Sequence, residues 1–548
     1  MAALKIVLVG YNQDEEYQIV MSYRRLMGDS LFKEMWEPHQ MSSFLCSFFE
    51  WIFVGITKGT TGIVIYLRIM GQLIQLALSI VLYKKLRGKM DEEYAFLIAV
   101  TFFNITPKMF ASPEFSNMQF WAICISLFLG YDAIECGLEN RKGLVCIILS
   151  AAAFCLSVLS YPSMLILAIP LIICFIVLFN GKERRIALGG FFGTCAVLGF
   201  IYVAFNVINV GFDTFIYTVL KIPTGDLTHS LQTTTMGESK LLANIEEIAL
   251  YLGLSLFVCT FAYLFARIRE AKVKNEMSDV ISLFIALLSL LIPLVEWLVL
   301  KKGYESGLVP ILCCFIIIAI NLRKSSSKSK KCYILAVIIG ISTIIAVMLM
   351  TDMTFASTLG HAIFIIPVMM IMIASVFENR KAVVSILLTY ALFSLFAKGF
   401  MLRGGNAGNN IFNIENVCRS GPAKGIFTEY MRAHIMDVNY DEWNNIVEEG
   451  DSVLIVTNTL MSDITTAYLY KDVSISHYSV INPAAYDERL LEYWERYPEK
   501  KPDIIAIDCW FSEPQIASDS FIMKYIEEDY RAKEVVDGSY LRFYINRD

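Results

Sequence analysis

The sequence predicts a polytopic α-helical membrane protein with a small α/β domain at its C-terminal end. Two observations predict it. Of 548 residues, 56% are hydrophobic and only 18% charged, where a soluble domain carries about a quarter charged residues. The shortfall is also uneven. Between Gly59 and Lys398 long apolar runs alternate with short polar stretches, and after Gly399 the composition becomes that of ordinary soluble protein. Three divisions follow: 1–58, a partial first helix and a polar loop; 59–398, a transmembrane helical domain; and 399–548, a soluble α/β domain.

A spanning helix needs about 20 mainly apolar residues. Candidate spans run Gly59–Tyr83, Tyr94–Phe110, Met118–Gly137, Gly143–Ser160, Pro162–Asn180, Ile186–Asn209, Ala243–Ala266, Val280–Leu300, Leu308–Leu322, Tyr333–Met350, Thr358–Phe377 and Ala382–Lys398. Gly143 to Asn180 carries no charge and is too long for one span, so Tyr161-Pro162 reads as a break. Ala2 to Gly10 is apolar over about half a span, without the charged start or cleavage site of a secretory signal. It reads as the end of a first spanning helix that begins before this sequence.

Lysine and arginine in short loops mark the cytoplasmic side. The basic loops are 84–89, 141–142, 182–185, 267–274, 323–331 and 380–381, and two predicted spans separate each consecutive pair. The other loops, 104–117, 210–242 and 351–357 among them, are therefore expected outside, as are Tyr11 to Lys58 and everything after Gly399. Lys301-Lys302 breaks the charge pattern. With the partial helix there would be about thirteen spans, N-terminus inside and C-terminus outside. The charges are segregated rather than patched, which excludes a nucleic-acid face. The thirteen cysteines lie mostly in apolar runs, where thiols act as small packing groups.

The first outer segment begins Gly10-Tyr-Asn-Gln-Asp14-Glu15-Glu16. Three carboxylates directly after an apolar segment can place a general base against a lipid-borne substrate, a contribution of roughly 100- to 10,000-fold in rate; they can equally be a solvated loop. A sugar on a lipid phosphate has a good leaving group, whose charge needs cations. Arg24, Arg25, Lys301, Lys302 and Arg403 are the candidates at the outer face, although such residues also snorkel to headgroups. His39 and His361 fall at the same level. Ile52 to Lys58, with the apolar residues before it, reads as a helix lying along the interface.

With Gln13-Asp14-Glu15 in the first outer loop, the surface-helix segment, about thirteen spans and a C-terminal outer domain, the sequence resembles the GT-C superfamily of polyprenyl-phosphate-dependent glycosyltransferases, of the protein mannosyltransferase and aminoarabinose transferase type. The resemblance implies that the first-loop carboxylate is the catalytic base, Asp14 with Glu15 as competitor. It implies a second acidic residue in the next outer loop, sometimes linked to a metal, here Glu114 in Ser112-Pro-Glu-Phe115, and with it a divalent cation, Mg or Mn. The implied partners are a polyprenyl-phosphate sugar donor, a glycan, lipid or protein acceptor, and the bilayer. The basic-inside pattern favours a bacterial plasma membrane. A polymerase or ligase of lipid-linked glycans and a transporter or flippase are the competing readings.

In the C-terminal domain, Ser452 to Thr457 and Asp503 to Asp508 read as buried strands, Val473 to Val480 as an alternating strand, and Asp463–Leu469, Pro483–Tyr497 and Phe521–Tyr530 as helices. Ala532–Val536 and Tyr540–Ile545 flank Asp537-Gly538 as a closing hairpin. Strands alternating with helices predict a small open sheet. No glycine-rich phosphate loop is present.

Overall fold

Each predicted span is helical in the computed structural model, which describes residues 1–108, 110–225, 238–268, 274–300, 308–351, 353–402, 410–457, 465–480, 488–510 and 513–547. Helices α1 (Ala2–Leu8), α2 (Gln13–Leu26) and α3 (Ser43–Thr57) precede the bundle. The bundle comprises α4 (Ile63–Leu86), α5 (Glu92–Asn104), α6 (Phe115–Cys136), α7 (Arg141–Ser160), α8 (Ala168–Leu178), α9 (Gly181–Val210), α10 (Phe212–Gly225), α11 (Glu238–Ile268), α12 (Lys274–Leu300), α13 (Val309–Asn321), α14 (Ser327–Met350), α15 (Phe355–Leu359), α16 (Ile365–Val376) and α17 (Arg380–Phe400).

Seven of these helices are long and apolar enough to cross a membrane, or eight if the bent pair α15–α16 is one span. That is fewer than the twelve or thirteen full spans expected. The difference has a geometric cause. Helices α5 and α13 have 13 residues each, α16 has 12 and α8 has 11. At 1.5 Å per residue they reach about 17–20 Å, short of a hydrocarbon core of about 30 Å. Tyr161-Pro162 does break its segment: a 3₁₀ turn, Pro162–Leu167, separates α7 from α8. Helix α6 is long enough but carries Asn117, Gln119, Asp132 and Glu135.

The loops segregate to two ends as the charge pattern requires. At one end the basic loops pair with their acidic neighbours: Lys182 with Glu139 at 3.1 Å, Lys324 with Asp279 at 2.5 Å, Arg380 with Glu93 at 3.0 Å, and Lys85 with Asp132. The other end gathers the start of α2, the 105–114 loop, the Tyr161 turn and the C-terminal domain. Here α4 comes close to that loop. A Cβ on Gly71 would lie 1.6 Å from the Ala111 carbonyl oxygen, so only glycine permits the approach. Helix α3 is inverted relative to a soluble helix. Ser43, Cys46, Ser47 and Glu50 are buried, whereas Phe48 and Trp51 are 53% and 63% exposed. An aromatic outer face of this kind suits the membrane interface.

The C-terminal sheet has the order β4-β3-β5-β8-β7, with β6 (Glu513–Pro514) off β5. Strands β3 (Ser452–Val456), β4 (Ser474–Ile475) and β5 (Ile504–Trp510) are parallel; β7 (Glu534–Asp537) and β8 (Leu541–Ile545) close it as an antiparallel hairpin. The strand predicted over Val473 to Val480 is only two residues long, because the chain after Ile475 leaves the sheet to meet the first loop. Helices α19 (Arg489–Arg496) and α20 (Phe521–Tyr525) pack on it, and a π turn, Ile526–Tyr530, continues α20. A small ladder, β1 (Asn416–Val417) with β2 (Phe427–Thr428), and helix α18 (Tyr430–Ile446) complete the domain.

The first sixty residues share the apolar cores of this domain. Tyr11, Ile19, Val20 and Tyr23 pack in one cluster with Trp443, Val453 and Phe543. Trp36 stacks on Tyr478 at 5.2 Å in another. A buried ionic network joins the same pieces. Arg24, fully buried, binds Asp29 at 2.7 Å, Glu37 at 3.1 Å and the Glu34 carbonyl at 3.1 Å. Asp29 also pairs with Lys500, and Glu37 accepts from the Ser479 hydroxyl at 2.7 Å and the Val480 amide at 2.9 Å.

Breaking a buried ion network by removing one partner costs about 3–5 kcal/mol. Arg24→Met is therefore expected to lower the melting temperature of the detergent-purified protein strongly and to expose the first loop to limited proteolysis; an unchanged melt would contradict this packing. Gly71→Ala is expected to destabilise by about 1–3 kcal/mol through overpacking against the Ala111 carbonyl, read in the same melt, and a neutral effect would show that the loop moves aside freely.

Candidate active site

Helix α2 starts at the far end of α1, where Asn12 caps it by accepting from the Asp14 amide at 2.9 Å. Successive residues at a helix start point about 100° apart, and the three carboxylates meet three different environments. Glu15 turns into the bundle and binds Arg68 at two points, 2.8 and 2.5 Å. Arg68 also holds the Val7 and Gly10 carbonyls at 3.1 and 2.7 Å, so this pair fixes the entry to α2. Glu16 turns to the C-terminal domain and accepts from the Thr466 amide at 2.6 Å and hydroxyl at 3.1 Å. Asp14 remains partly open, with its side chain 23% exposed, and receives the Lys108 ammonium at 2.8 Å.

Lys108 comes from the loop between α5 and α6. Its side chain is almost fully buried, and its ammonium lies 4.2 Å from the centre of the Phe115 ring. Phe115 in turn stacks on His39, centroids 4.2 Å apart and nearly coplanar. Tyr161 tilts against His39 at 4.9 Å and meets His361 edge-on at 5.0 Å. His361 shares a hydrogen bond with Gln119, Nδ1 to Oε1 at 3.2 Å. Asp14, Lys108, His39 and His361, from four distant stretches of chain, thus line one continuous patch built on Phe115 and Tyr161.

Glu114 adjoins the patch but faces the other way. Its two carboxylate oxygens accept from the Ser116 and Asn117 amides at 2.8 and 2.6 Å, capping α6. Burial pushes its carboxyl up to about 7, with the Lys108 ammonium and those amides pulling it back and Asp14 adding to the rise. It serves as a helix cap, the role that a carboxylate at this position commonly fills.

The remaining sequence candidates divide. Arg24 is not available to a phosphate, because it is fully buried and each of its three guanidinium nitrogens is bonded, to Asp29, Glu37 and the Glu34 carbonyl. Glu15 is excluded as a base by its two-point bond to Arg68. Arg25 is half-buried away from the patch, over the Phe44 ring at 4.0 Å and against Ser47. Lys301, Lys302 and Arg403 lie outside the described residues.

A narrow cleft of about 50 Å³ opens beside the 105–108 loop, between α5, α12, α13, α16 and α17. Its lining is mainly apolar, including Ile105, Leu308, Ile363, Phe393 and Ala397. Thr106, whose buried hydroxyl has no partner among the described residues, and Pro107 form its wall two residues and one residue before Lys108. Gly360, next to His361, closes another side.

The side chains at hand do not fit the divalent cation that the resemblance implies. Among the described residues no three His, Cys, Asp or Glu side chains group as metal ligands. Glu114 has both oxygens turned to backbone amides, and Asp14 faces an ammonium.

Lys108 and Thr106 escaped the sequence reading. The signal was there: a lysine in the 104–117 loop violates the charge alternation as Lys301-Lys302 does.

No family model matches the sequence, and no curated protein matches it. Among solved structures the chain is similar to the Archaeoglobus fulgidus oligosaccharyltransferase. Against the complex of that protein with zinc and sulfate the TM-score is 0.42 at 13% identity, covering 92% of this chain and 67% of that one. Against its apo form the TM-score is 0.37 at 13% identity, covering 92% and 68%. Against the archaeal enzyme AglB with an inhibitory peptide and a dolichol-phosphate it is 0.35 at 12% identity, again covering 92% and 68%. At scores below 0.5 and such identities the likeness assigns no role to this chain or to its residues.

Proposed function

We propose that this protein is a multi-pass membrane glycosyltransferase of the GT-C type, which moves a sugar from a polyprenyl-phosphate carrier to a glycan, lipid or protein acceptor. Asp14 is the base. One observation carries the reading: of three adjacent carboxylates, Asp14 alone is left partly open, beside a buried lysine and an apolar cleft.

The parts suit the chemistry. The prenyl chain lies in the cleft, whose lining is apolar. Its phosphate reaches the polar end at Thr106 to Lys108, and the sugar lies beside the partly open Asp14 and His39. The acceptor oxygen attacks the anomeric carbon while the bond from that carbon to the phosphate oxygen breaks. The electron pair leaves with the phosphate, and the acceptor proton passes to Asp14. The C-terminal domain covers the site through Glu16 and Glu37 and supports or contacts the acceptor. In this reading the site end of the bundle is extracytoplasmic, the basic end faces the cytoplasm, and the membrane is a bacterial plasma membrane.

Loss of a general base costs about 100- to 10,000-fold. In membranes supplied with radiolabelled polyprenyl-phosphate sugars, Asp14→Asn is expected to lose transfer by that factor at normal expression, with a smaller fall in melting temperature than Arg24→Met because the amide oxygen still accepts from Lys108. Glu15→Gln is expected to do the reverse, lowering the melting temperature because it leaves Arg68 half-satisfied in the bundle. Full transfer by Asp14→Asn would end the assignment.

A further inference from the structure

We infer that Lys108 is a built-in cation that occupies the place of a divalent metal in this site, and that it passes from Asp14 to the departing phosphate during transfer. The inference rests on the transferase reading above and concerns how its leaving group is stabilised.

Three observations lead to it. The Lys108 ammonium is 2.8 Å from the Asp14 carboxylate, so the chain itself supplies a cation against that acid. It is buried, yet beside the one partly open carboxylate of the first loop. It is held over the Phe115 ring, 4.2 Å from its centre, an attachment that keeps the charge in place. Glu114, the other carboxylate that senses Lys108, is fixed as the cap of α6 and does not follow.

The charges then balance through the step. Before it, Asp14 is an anion paired with Lys108, and the donor phosphodiester carries one negative charge. As the sugar leaves, the phosphate gains a second charge, and the acceptor proton neutralises Asp14. The carboxylate loses its claim on the ammonium at the moment the phosphate acquires one. Base and cation are therefore a single exchange pair, and no further positive charge is required from solution.

The test uses the purified full-length chain in lipid nanodiscs, a radiolabelled polyprenyl-monophosphate sugar, and manganese titration followed by electron paramagnetic resonance. Expected are unchanged transfer by the wild type after EDTA treatment and no stoichiometric manganese binding. Lys108→Met is expected to lose roughly 100-fold or more in turnover, as when one donor to a developing oxyanion is removed. Lys108→Arg, which keeps the charge, is expected to stay within about tenfold of wild type, by the same scale. Abolition by EDTA with recovery on adding magnesium or manganese would overturn the inference. So would manganese bound by the wild type and lost in Asp14→Asn. Should no donor give transfer with or without metal, the transferase reading falls, and the manganese titration alone still decides whether this site holds a metal. If Lys108→Met fails to fold, the EDTA and manganese arms decide.

Discussion

The guanidinium of Arg24 is the fixed point of the site end of this molecule. It is fully buried, and it draws Asp29, Glu37 and the Glu34 carbonyl around itself. A charge so placed is expensive unless every bond is made, and making them forces the loop after α2 to fold back on its own helix. Asp29 and Glu37 then pass the constraint outward, to Lys500, Ser479 and Val480 of the C-terminal domain. The first loop and the sheet consequently behave as one body. The direction of α2, and so the place of Asp14, follows from contacts made 5 to 471 residues away in sequence.

The geometry of a helix start does the rest. Glutamates 15 and 16 are consumed by structure, one inward on Arg68 and one outward on Thr466. Each of those contacts fixes the rotation of α2, and Asp14, about 100° back from Glu15 around the helix, points to Lys108. A run of three acids that looks like redundancy is two anchors and one partly open carboxylate. The aromatic patch of Phe115, His39, Tyr161 and His361 is arranged by the same economy: short loops at one end of the bundle bring four separate stretches together.

Much of the architecture was legible in the sequence because its causes are local. Apolar runs report buried or membrane-facing helices wherever they occur, and the parallel strands β3 and β5 read as short continuous apolar runs, since both their faces are covered. Helix α18 was missed although Ala433, Met436 and Trp443 recur at helical spacing, because charged and polar residues between them dilute the pattern. Which segments span was less legible, as helix ends depend on turns such as Pro162–Leu167. In the candidate site, Asp14, His39 and His361 were named from residue type and place in the chain, and the structure brings them to one patch. That Glu15 is tied up while Asp14 stays partly open was not legible, because Glu15 is held by Arg68, which stands 53 residues on. Arg24 was misread for the same reason: an arginine near an interface looks alike in sequence whether it faces lipid or is buried among carboxylates.

The most direct test of this account is a cryo-electron microscopy structure of the chain in lipid nanodiscs with a polyprenyl phosphate bound. The account predicts the phosphate within hydrogen-bond distance of the Lys108 ammonium and the prenyl chain in the cleft lined by Ile105, Ile363 and Ala397. A lipid phosphate seated elsewhere, with Lys108 still paired to Asp14 and the cleft empty, would contradict it.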